Sequence, residues 1–203
     1  MFIERPPLLF RLLYPSALWR IEKQERAVFL TFDDGPIPEA TPWILDTLDK
    51  YGVKATFFMV GDNARKYPHL HQEVVRRGHR IGNHTYHHLQ GFKHSVEKYL
   101  KDTEEANKIL RTNLFRPPHG HMTTAQYKHL QKSYTVVMWD LVTRDYSNRL
   151  SEQEILENVK RYTRSGSIIT FHDSLKSIEK LHYALPHAIE WLQAEGYTCK
   201  LIP

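Results

Sequence analysis

Short apolar runs recur along the chain and alternate with stretches that have the apolar spacing of helices. Runs of this length, bounded by turn residues and rich in Val, Ile, Phe and Thr, are typical of buried strands. The predicted strands are Ala27–Phe32, Ala55–Val60, His79–Gly82, Leu114–Arg116, Thr135–Trp139, Ile168–Phe171 and Thr198–Ile202. Because strands that alternate with helices usually pair in parallel, we expect right-handed crossovers between them.

The helical stretches carry recognisable end signals. One begins at Thr41, which is expected to cap it, and ends at Gly52, a residue suited to the left-handed position after a helix. Another begins with a capping box formed by Ser151 and Glu154. The last helix is expected to bend or restart at Pro186, because proline lacks the N–H group that a helix interior needs.

About seven strand–helix units predict an α/β fold of a particular kind. It is a distorted or incomplete (β/α) barrel, because eight regular repeats need more chain than 203 residues. In such folds the C-terminal ends of parallel strands meet on one face, so polar residues that follow different strands are expected to converge there.

Two adjacent carboxylates, Asp33 and Asp34, follow the first predicted strand, and Gly35 and Pro36 then turn the chain. Adjacent acids repel each other and are costly to desolvate, so a fold that holds both usually provides a cation or a shared proton. Neighbouring side chains at a strand end point in different directions, so we expect different roles for the two acids. The plain alternative is a hydrogen-bonded turn.

A pair of histidines offers the matching cation site. His84 and His88 are four residues apart, and one turn of helix would bring both rings onto one face. One carboxylate with two imidazoles predicts a zinc-type site that leaves room for water. Other histidines, such as His87 and His94, are interpreted as surface or structural residues.

Three motifs occur in a fixed order: Thr31-Phe32-Asp33-Asp34-Gly35, His84-Thr85-Tyr86-His87-His88 and Arg116-Pro117-Pro118-His119-Gly120. With them the chain resembles the polysaccharide deacetylases, also called NodB-homology or carbohydrate esterase family 4 domains. The resemblance covers Ala27 to Ile202 and implies a NodB-like barrel. It predicts a catalytic domain at 27–203 and an N-terminal segment at 1–26 that packs on the barrel.

The resemblance also implies a ligand set and a cofactor. Asp34, His84 and His88 would hold a divalent metal, most simply Zn²⁺, with Co²⁺, Ni²⁺ or Mn²⁺ as alternatives. Zinc at such a site lowers the pKa of bound water to about 7 and polarises a carbonyl.

Further roles follow from the same resemblance. Asp33 would be the general base that deprotonates the attacking water, and Arg116 would orient it. The backbone N–H at position 119 would stabilise the oxyanion, an effect worth roughly a hundredfold or more in rate. His172 would be the acid that protonates the leaving amine, with its pKa raised by Asp145.

The substrate pocket is where the chain departs from the family pattern. His119 stands in place of a tyrosine, and Val142, Tyr146 and Thr170 also differ. These departures leave the metal and base intact and bear on pocket shape and substrate class. The predicted substrate contacts are His119, Pro118, Trp139 and Tyr146; Trp139 and Tyr146 either stack on a sugar or serve as core aromatics.

Composition bears on the number of domains, on disulfide bonds and on the class of partner. With 41% hydrophobic and 25% charged residues the chain is typical of one soluble globular domain, and its single cysteine, Cys199, excludes an internal disulfide. The formal charge of +5 arises from scattered Lys and Arg without an RNA-binding motif, so we expect no nucleic-acid partner. It is interpreted as a solvated basic surface, with attraction to an anionic glycan or the cell envelope as the alternative.

The N-terminal segment lacks a long apolar run, because Glu4, Arg5 and several prolines interrupt it. This predicts neither a signal peptide nor a transmembrane segment, and hence a cytoplasmic location, with the cell envelope as the alternative. The segment up to Arg20, which contains Phe10 and Trp19, is expected to pack across the barrel base; contact with a membrane is the other interpretation. The sequence predicts no oligomeric state.

The functional hypothesis is a metal-dependent hydrolase that removes acetyl groups from a carbohydrate polymer or oligosaccharide. It would cleave an N-acetyl amide, a carbon–nitrogen bond other than a peptide bond, or an O-acetyl ester. Two alternatives stay open: an intracellular amidase or deformylase on the same scaffold, and a metal-bound glycan-binding domain without turnover. The sequence does not choose among chitin fragments, peptidoglycan, xylan or a lipid-linked sugar.

Overall fold

A computed structural model describes residues 4–21 and 26–203. Within these residues the strands are β1 Ala27–Asp33, β2 Thr56–Met59, β3 Arg80–Asn83, β4 Leu114–Phe115, β5 Thr135–Val136, β6 Leu141–Val142, β7 Ile168–His172 and β8 Thr198–Cys199. The helices are α1 Leu8–Arg11, α2 Thr41–Lys50, α3 Gly61–Lys66, α4 Pro68–Arg76, α5 Val96–Leu110, α6 Thr124–Leu130, α7 Glu152–Tyr162 and α8 Ile178–Ala194.

The strands form one curved parallel sheet with the order β5-β4-β3-β2-β1-β7-β6. The short strand β8 pairs in parallel with the start of β1, beside Ala27 and Val28. Every residue of β1 is buried, and helices cover the outer face of the sheet. The predicted fold, a distorted and incomplete (β/α) barrel of about seven strands, is therefore confirmed.

One predicted strand, Thr135–Trp139, has the wrong extent. Its pairing with β4 ends early, because the backbone changes partners along the chain: the N–H of Met138 bonds to Leu18, and that of Asp140 bonds to Ile168. After this shift the chain forms β6, which the sequence analysis did not predict, beside β7. A single extended stretch thus begins on one edge of the sheet and ends on the other.

The predicted helix ends agree with the structure in some cases and not in others. The capping box of Ser151 and Glu154 is present at the start of α7, which confirms that prediction. Thr41 does not cap α2: its hydroxyl donates to the buried Asp173 instead, and Ala40 is the cap residue. Helix α8 is a single element with Pro186 inside it, so the predicted restart there is wrong.

The described part of the N-terminal segment lies along the seam between β5 and β7. Leu18 pairs with Val137 and Arg20 pairs with Ser167 as isolated bridges. Farther up, Phe10 and Trp19 pack against Trp139, with ring centroids 6.4 and 5.9 Å away. The segment therefore supports the side of the barrel, while the proposed domain boundary at residue 26 stays a prediction.

None of the helices in residues 4–21 and 26–203 is long and apolar enough to cross a membrane.

Candidate active site

The site lies at the C-terminal ends of β1, β3, β4 and β7. Asp33 is in register with His172 on the neighbouring strand, and the next residue, Asp34, has a left-handed φ of 86°. This sharp change of direction after β1 separates the two carboxylates, as expected. Residues with positive φ that are not glycine are uncommon, and His88 and His119 at the same site are two more.

Asp34, His84 and His88 form the candidate metal centre. One carboxylate oxygen of Asp34 lies 3.1 Å from Nε2 of His88 and 3.7 Å from Nε2 of His84. The potential ligand atoms of the three side chains all lie within 4.8 Å of one another. Although burial opposes ionisation, the hydrogen bond with His88 and the charge of His172 lower the pKa of Asp34 well below its usual value. The carboxylate is therefore ionised.

The tautomer of His84 suits a metal ligand. Its Nδ1 lies 2.8 Å from the carbonyl oxygen of Arg116, which can only accept, so this nitrogen carries the proton. Nε2, on the side of Asp34, then presents its lone pair. Burial lowers the pKa of His84 and keeps the ring neutral. Neutral imidazoles fixed by a hydrogen bond on the far nitrogen are typical of zinc sites.

The two histidines do not lie on a helix, contrary to the expectation from their spacing. Residues 84–88 form a loop in which Thr85 and His88 have positive φ angles. Asp102 of α5 holds this loop by accepting the backbone N–H groups of Tyr86 and His87 at 2.8 and 3.0 Å. Asp102 was missed in the sequence analysis, because nothing in its helical context marks it as a partner of a loop.

Asp33 and Arg116 form a buried ion pair with an Oδ1–Nη1 distance of 2.6 Å. The guanidinium of Arg116 also donates to Thr31 and to the carbonyl groups of Val137 and Met138. Burial raises the pKa of Asp33 despite the opposing charge of Arg116. The hydrogen bond from Arg116 fixes one oxygen of the Asp33 carboxylate.

His172 and Asp145 form a second pair. Nδ1 of His172 lies 2.8 Å from Oδ1 of Asp145, whose other oxygen accepts the backbone N–H of His172 at 2.7 Å. Burial alone would lower the pKa of His172, but Asp145, Asp34 and Asp33 together raise it to about 9. The ring of Tyr146 packs edge-on against His172, with centroids 4.8 Å apart. At neutral pH His172 is therefore protonated.

The loop after β4 places Pro118 and His119 beside the candidate metal centre. Pro118 is buried, whereas the ring of the exposed His119 lies 4.6 Å from that of His88. No hydrogen bond from the backbone N–H of His119 to the described residues is seen. Trp139 lies behind this loop, where a Cβ on Gly120 would come within 2.2 Å of its indole. Whether Trp139 also contacts a sugar stays a prediction.

Two aromatic residues that the sequence analysis did not select extend from this loop. The ring of His121 lies 6.3 Å from that of His119, and Phe92 stacks on His121 at 4.9 Å. Phe92 is 61% exposed, so most of its ring is open to solvent. The rings of Phe92, His121 and His119 thus form an aromatic row. Only the folded chain brings residues 92 and 121 together, so no local signal in the sequence could have identified it.

Asp173 was also missed in the sequence analysis. It is fully buried, and its carboxylate accepts the backbone N–H of Gly35 at 2.9 Å and the hydroxyl of Thr41 at 2.9 Å. A Cβ at Gly35 would lie only 1.8 Å from this carboxylate. Glycine at this position therefore lets Asp173 hold the turn that carries Asp33 and Asp34.

Comparison with known proteins agrees with this geometry. Residues 20–139 match the family model described as polysaccharide deacetylase. The chain belongs to the polysaccharide deacetylase family. This confirms the family predicted from the motifs, and polysaccharide deacetylase as the class of enzyme. The roles of the individual residues stay predictions.

Relatives of this deacetylase extend over nearly the whole chain. A peptidoglycan-N-acetylglucosamine deacetylase of Bacillus cereus is 34% identical over 88% of the chain and 87% of its own length. A chitooligosaccharide deacetylase of Azorhizobium caulinodans is 30% identical over 91% of the chain and 96% of its own length. A crystal structure of a peptidoglycan N-acetylglucosamine deacetylase superposes with a TM-score of 0.89 at 32% identity, covering 98% of the chain and 95% of that structure.

Proposed function

We propose that this deacetylase hydrolyses the N-acetyl amide of N-acetylglucosamine residues in a glycan of the peptidoglycan or chitooligosaccharide class, with a divalent metal as cofactor. The names of the relatives support the substrate class. The observation that carries the proposal is the arrangement of three groups at one barrel face: the Asp34–His84–His88 centre, the Asp33–Arg116 pair and the His172–Asp145 pair.

Asp34, His84 and His88 would hold the metal, for which Zn²⁺ is the first choice. Two neutral nitrogen donors and one carboxylate are the donor set that catalytic zinc prefers, and three protein ligands leave a position open. Co²⁺, Ni²⁺ and Mn²⁺ accept similar donors and are the alternatives. Bound at these donors, the ion supplies a Lewis acid for the acetyl carbonyl and lowers the pKa of a nearby water molecule.

Asp33 would take the proton from the attacking water. Arg116 occupies one oxygen of the Asp33 carboxylate at 2.6 Å, which leaves the other oxygen to accept a proton. Four further contacts, to Thr31, two carbonyl groups and the ring of Phe58, hold the guanidinium of Arg116 in place. Its hydrogen bond to Asp33 therefore keeps the Asp33 carboxylate in one orientation. Arg116 is thus a positioning residue.

The backbone N–H of His119 would donate a hydrogen bond to the oxyanion that develops on the acetyl carbonyl. This donor does not depend on the side chain, which explains why histidine can stand where the family usually has tyrosine. A donor aimed at a developing charge contributes more in the transition state than in the ground state.

His172 would protonate the leaving amine as the carbon–nitrogen bond breaks. The products are acetate and a free amino sugar, and the water supplies the oxygen and both protons that they need. An amine cannot leave as an anion at neutral pH, so this step requires an acid. The carboxylate of Asp145 holds the ring through Nδ1 and leaves Nε2 to give up its proton.

The aromatic row of Phe92, His121 and His119 would bind the glycan beside the reacting sugar. Flat apolar rings stack on the faces of pyranose rings, and the ring of Phe92 is 61% exposed and therefore open to such contact. Binding along the row favours an oligosaccharide over a single sugar.

The test is acetate release by zinc-reconstituted protein from chitooligosaccharides, peptidoglycan and acetylated xylan, with metal-depleted protein as the control. We expect acetate from the first two substrates only when metal is present. Asp33→Asn should abolish this release while zinc content stays the same; full activity of this variant would contradict the role of Asp33 as the base. Formate without acetate would favour a deformylase, and saturable glycan binding without product would favour a non-catalytic domain.

A further inference from the structure

Glu4 of the N-terminal segment contacts the loop that carries Asp145. Its backbone carbonyl accepts the N–H of Val142 at 2.9 Å, and its carboxylate accepts a hydrogen bond from Nη1 of Arg144 at 2.5 Å. The side chains of Glu4 and Arg144 are 22 and 12% exposed, so this ion pair is largely shielded from water. Removal of one partner of a shielded pair costs more than removal from an exposed pair, because the remaining charge is poorly solvated.

Arg144 stands directly before Asp145 in a backbone conformation that arginine rarely adopts. Its φ is 63°, in the left-handed region. Residues other than glycine hold such a conformation only where neighbouring contacts maintain it. The carbonyl of Arg144 accepts the N–H of Ser147 at 2.9 Å, and the side chain of Arg144 is held by Glu4. The backbone at Arg144 sets the direction in which the next side chain, that of Asp145, leaves the chain.

The other side of this loop is attached to the sheet. Thr143 donates from its backbone N–H and from its hydroxyl to the carbonyl of Thr170 on β7, at 3.0 Å in both cases. Strand β6, which precedes the loop, is the last strand of the sheet within the described residues. Glu4 contacts β6 through Val142. The loop is thus held by β7 on one side and by Glu4 on the other.

The direction of the Asp145 side chain matters because both of its carboxylate oxygens are used. Oδ1 lies 2.8 Å from Nδ1 of His172, and Oδ2 accepts the backbone N–H of His172 at 2.7 Å. Asp145 is fully buried. A displacement of its carboxylate would release the ring of His172, whose Nε2 would then lose its fixed direction.

We propose that Glu4 is a positioning residue for the acid step, an inference that rests on the acid role proposed for His172. Glu4 holds Arg144, and thereby keeps the Asp145 carboxylate and the ring of His172 in the orientation that proton transfer requires. A misplacement of about 1 Å transmitted from outside a site can reduce a rate by roughly a hundredfold. Glu4 lies outside residues 20–139, which match the family model, so this contribution belongs to the N-terminal segment.

The test compares Glu4→Gln with Arg11→Gln. Glutamine at position 4 keeps the length of the side chain and removes its charge. Arg11→Gln removes a different anchor of the same segment, the contact with Asp140 at 2.9 Å. In Glu4→Gln we expect kcat for an N-acetyl amide to fall about tenfold at unchanged KM, and kcat for an activated acetate ester to fall less than about twofold. In Arg11→Gln the ratio of the amide rate to the ester rate should stay that of the unaltered chain.

A double-mutant cycle with Arg144→Asn tests whether Glu4 acts through the backbone at position 144. Asparagine adopts a positive φ more readily than arginine does. In the Arg144→Asn background, Glu4→Gln should therefore change kcat for the amide by less than about twofold. The same tenfold loss in that background would overturn the proposal. Thermal unfolding midpoints establish that each variant is folded.

A spectroscopic readout does not depend on activity. The Nδ1 proton of His172, which bonds to Asp145, should give a low-field imidazole resonance in metal-free protein, assigned by its loss in His172→Gln. We expect Glu4→Gln to shift or broaden this resonance and Arg11→Gln to leave it in place. An unchanged resonance in Glu4→Gln, an unchanged ratio of amide to ester rates, or equal changes in the two variants would overturn the proposal. Absence of acetate release by the unaltered chain would instead refute the proposed function, and the resonance would still decide whether Glu4 orients the pair.

Discussion

The proposed metal-ligand loop, residues 84–88, and the two proposed proton-transfer pairs, Asp33–Arg116 and His172–Asp145, differ in how the chain holds them. The side chains of Asp34 and His88 are 32 and 31% exposed, whereas those of Asp33 and Arg116 are 7 and 1% exposed. The loop depends on left-handed residues and hydrogen bonds to Asp102, while the pairs lie at or beside the ends of buried strands. The pairs are therefore part of the core, whereas the candidate metal centre combines one buried ligand, His84 at 3% exposure, with two partly exposed ones.

The largest expected effect is that of Arg116→Ala. Removal of one member of a buried ion pair leaves an uncompensated charge, so the free energy of unfolding should fall by about 3–5 kcal/mol. The matched control is His88→Ala in metal-free protein, where a partly exposed side chain is lost and the change should stay within about 1 kcal/mol. Urea unfolding of both variants measures this difference. Equal decreases in the free energy of unfolding would contradict the contrast between the buried pairs and the loop of residues 84–88.

The next effect concerns His172→Ala and separates the acid from the metal centre. With an N-acetyl amide substrate, kcat should fall by roughly 10²–10⁴-fold, because the amine leaves without a proton. An activated acetate ester has a leaving group that hardly needs protonation, so the decrease in kcat with this substrate should be much smaller. Steady-state kinetics on both substrates provides the comparison, and losses of the same size on amide and ester would count against the acid role.

A smaller effect is expected from Asp145→Asn on the pH profile. The pKa of His172 in the folded chain is about 9, above the usual 6.5, and Asp145 contributes most to raising it. As the proposed acid, His172 would act in its protonated form, so kcat should fall as pH rises through the folded pKa, and the variant should lose activity at lower pH than the parent. The same pair stabilises the fold below pH 6.5 and loses that contribution as pH rises through about 9. An unchanged alkaline limb would contradict the coupling.

The smallest predicted effect is that of Phe92→Ala, which lies outside both the metal-ligand loop and the pairs. Loss of one stacking ring should raise KM for a tetrasaccharide several-fold, by about 1 kcal/mol, and leave kcat nearly unchanged. KM for a monosaccharide substrate should not move, since Phe92 is the ring of the row farthest from the candidate metal centre and a single sugar bound there is not expected to reach it. A change in kcat without a change in KM would remove Phe92 from the glycan-binding surface.

The sequence was sufficient to predict which polar residues lie together when each of them stands at the end of a strand. Asp33, Arg116 and His172 each stand at or directly after a buried apolar run, and parallel pairing is enough to bring such positions together. It failed for the conformation of residues 84–88, since a four-residue spacing is compatible with a helix and with a loop that has positive φ at Thr85 and His88.

Other features depend on contacts between distant parts of the chain. Asp102, Asp173 and Phe92 acquire their partners only after folding, and their local sequence is that of an ordinary helix, turn or loop. The division of one predicted strand into β5 and β6 has the same origin, because the backbone near Met138 takes Leu18 as its partner. The three motifs that carry the family resemblance do not include these residues, so the resemblance did not predict these features either.

The central strand β1 has a consequence for how the protein is made. It pairs with β7 and β8 from the far end of the chain: the hydroxyl groups of Thr31 and Thr170, 139 residues apart in sequence, lie 3.2 Å from each other. A nascent chain on the ribosome therefore carries a predominantly apolar strand with one open edge until residues 168–172 have been synthesised. Strands β1 to β5 can pair as they emerge, but β1 gains its second neighbour only with β7, so residues 27–33 are the segment that most needs shielding during translation.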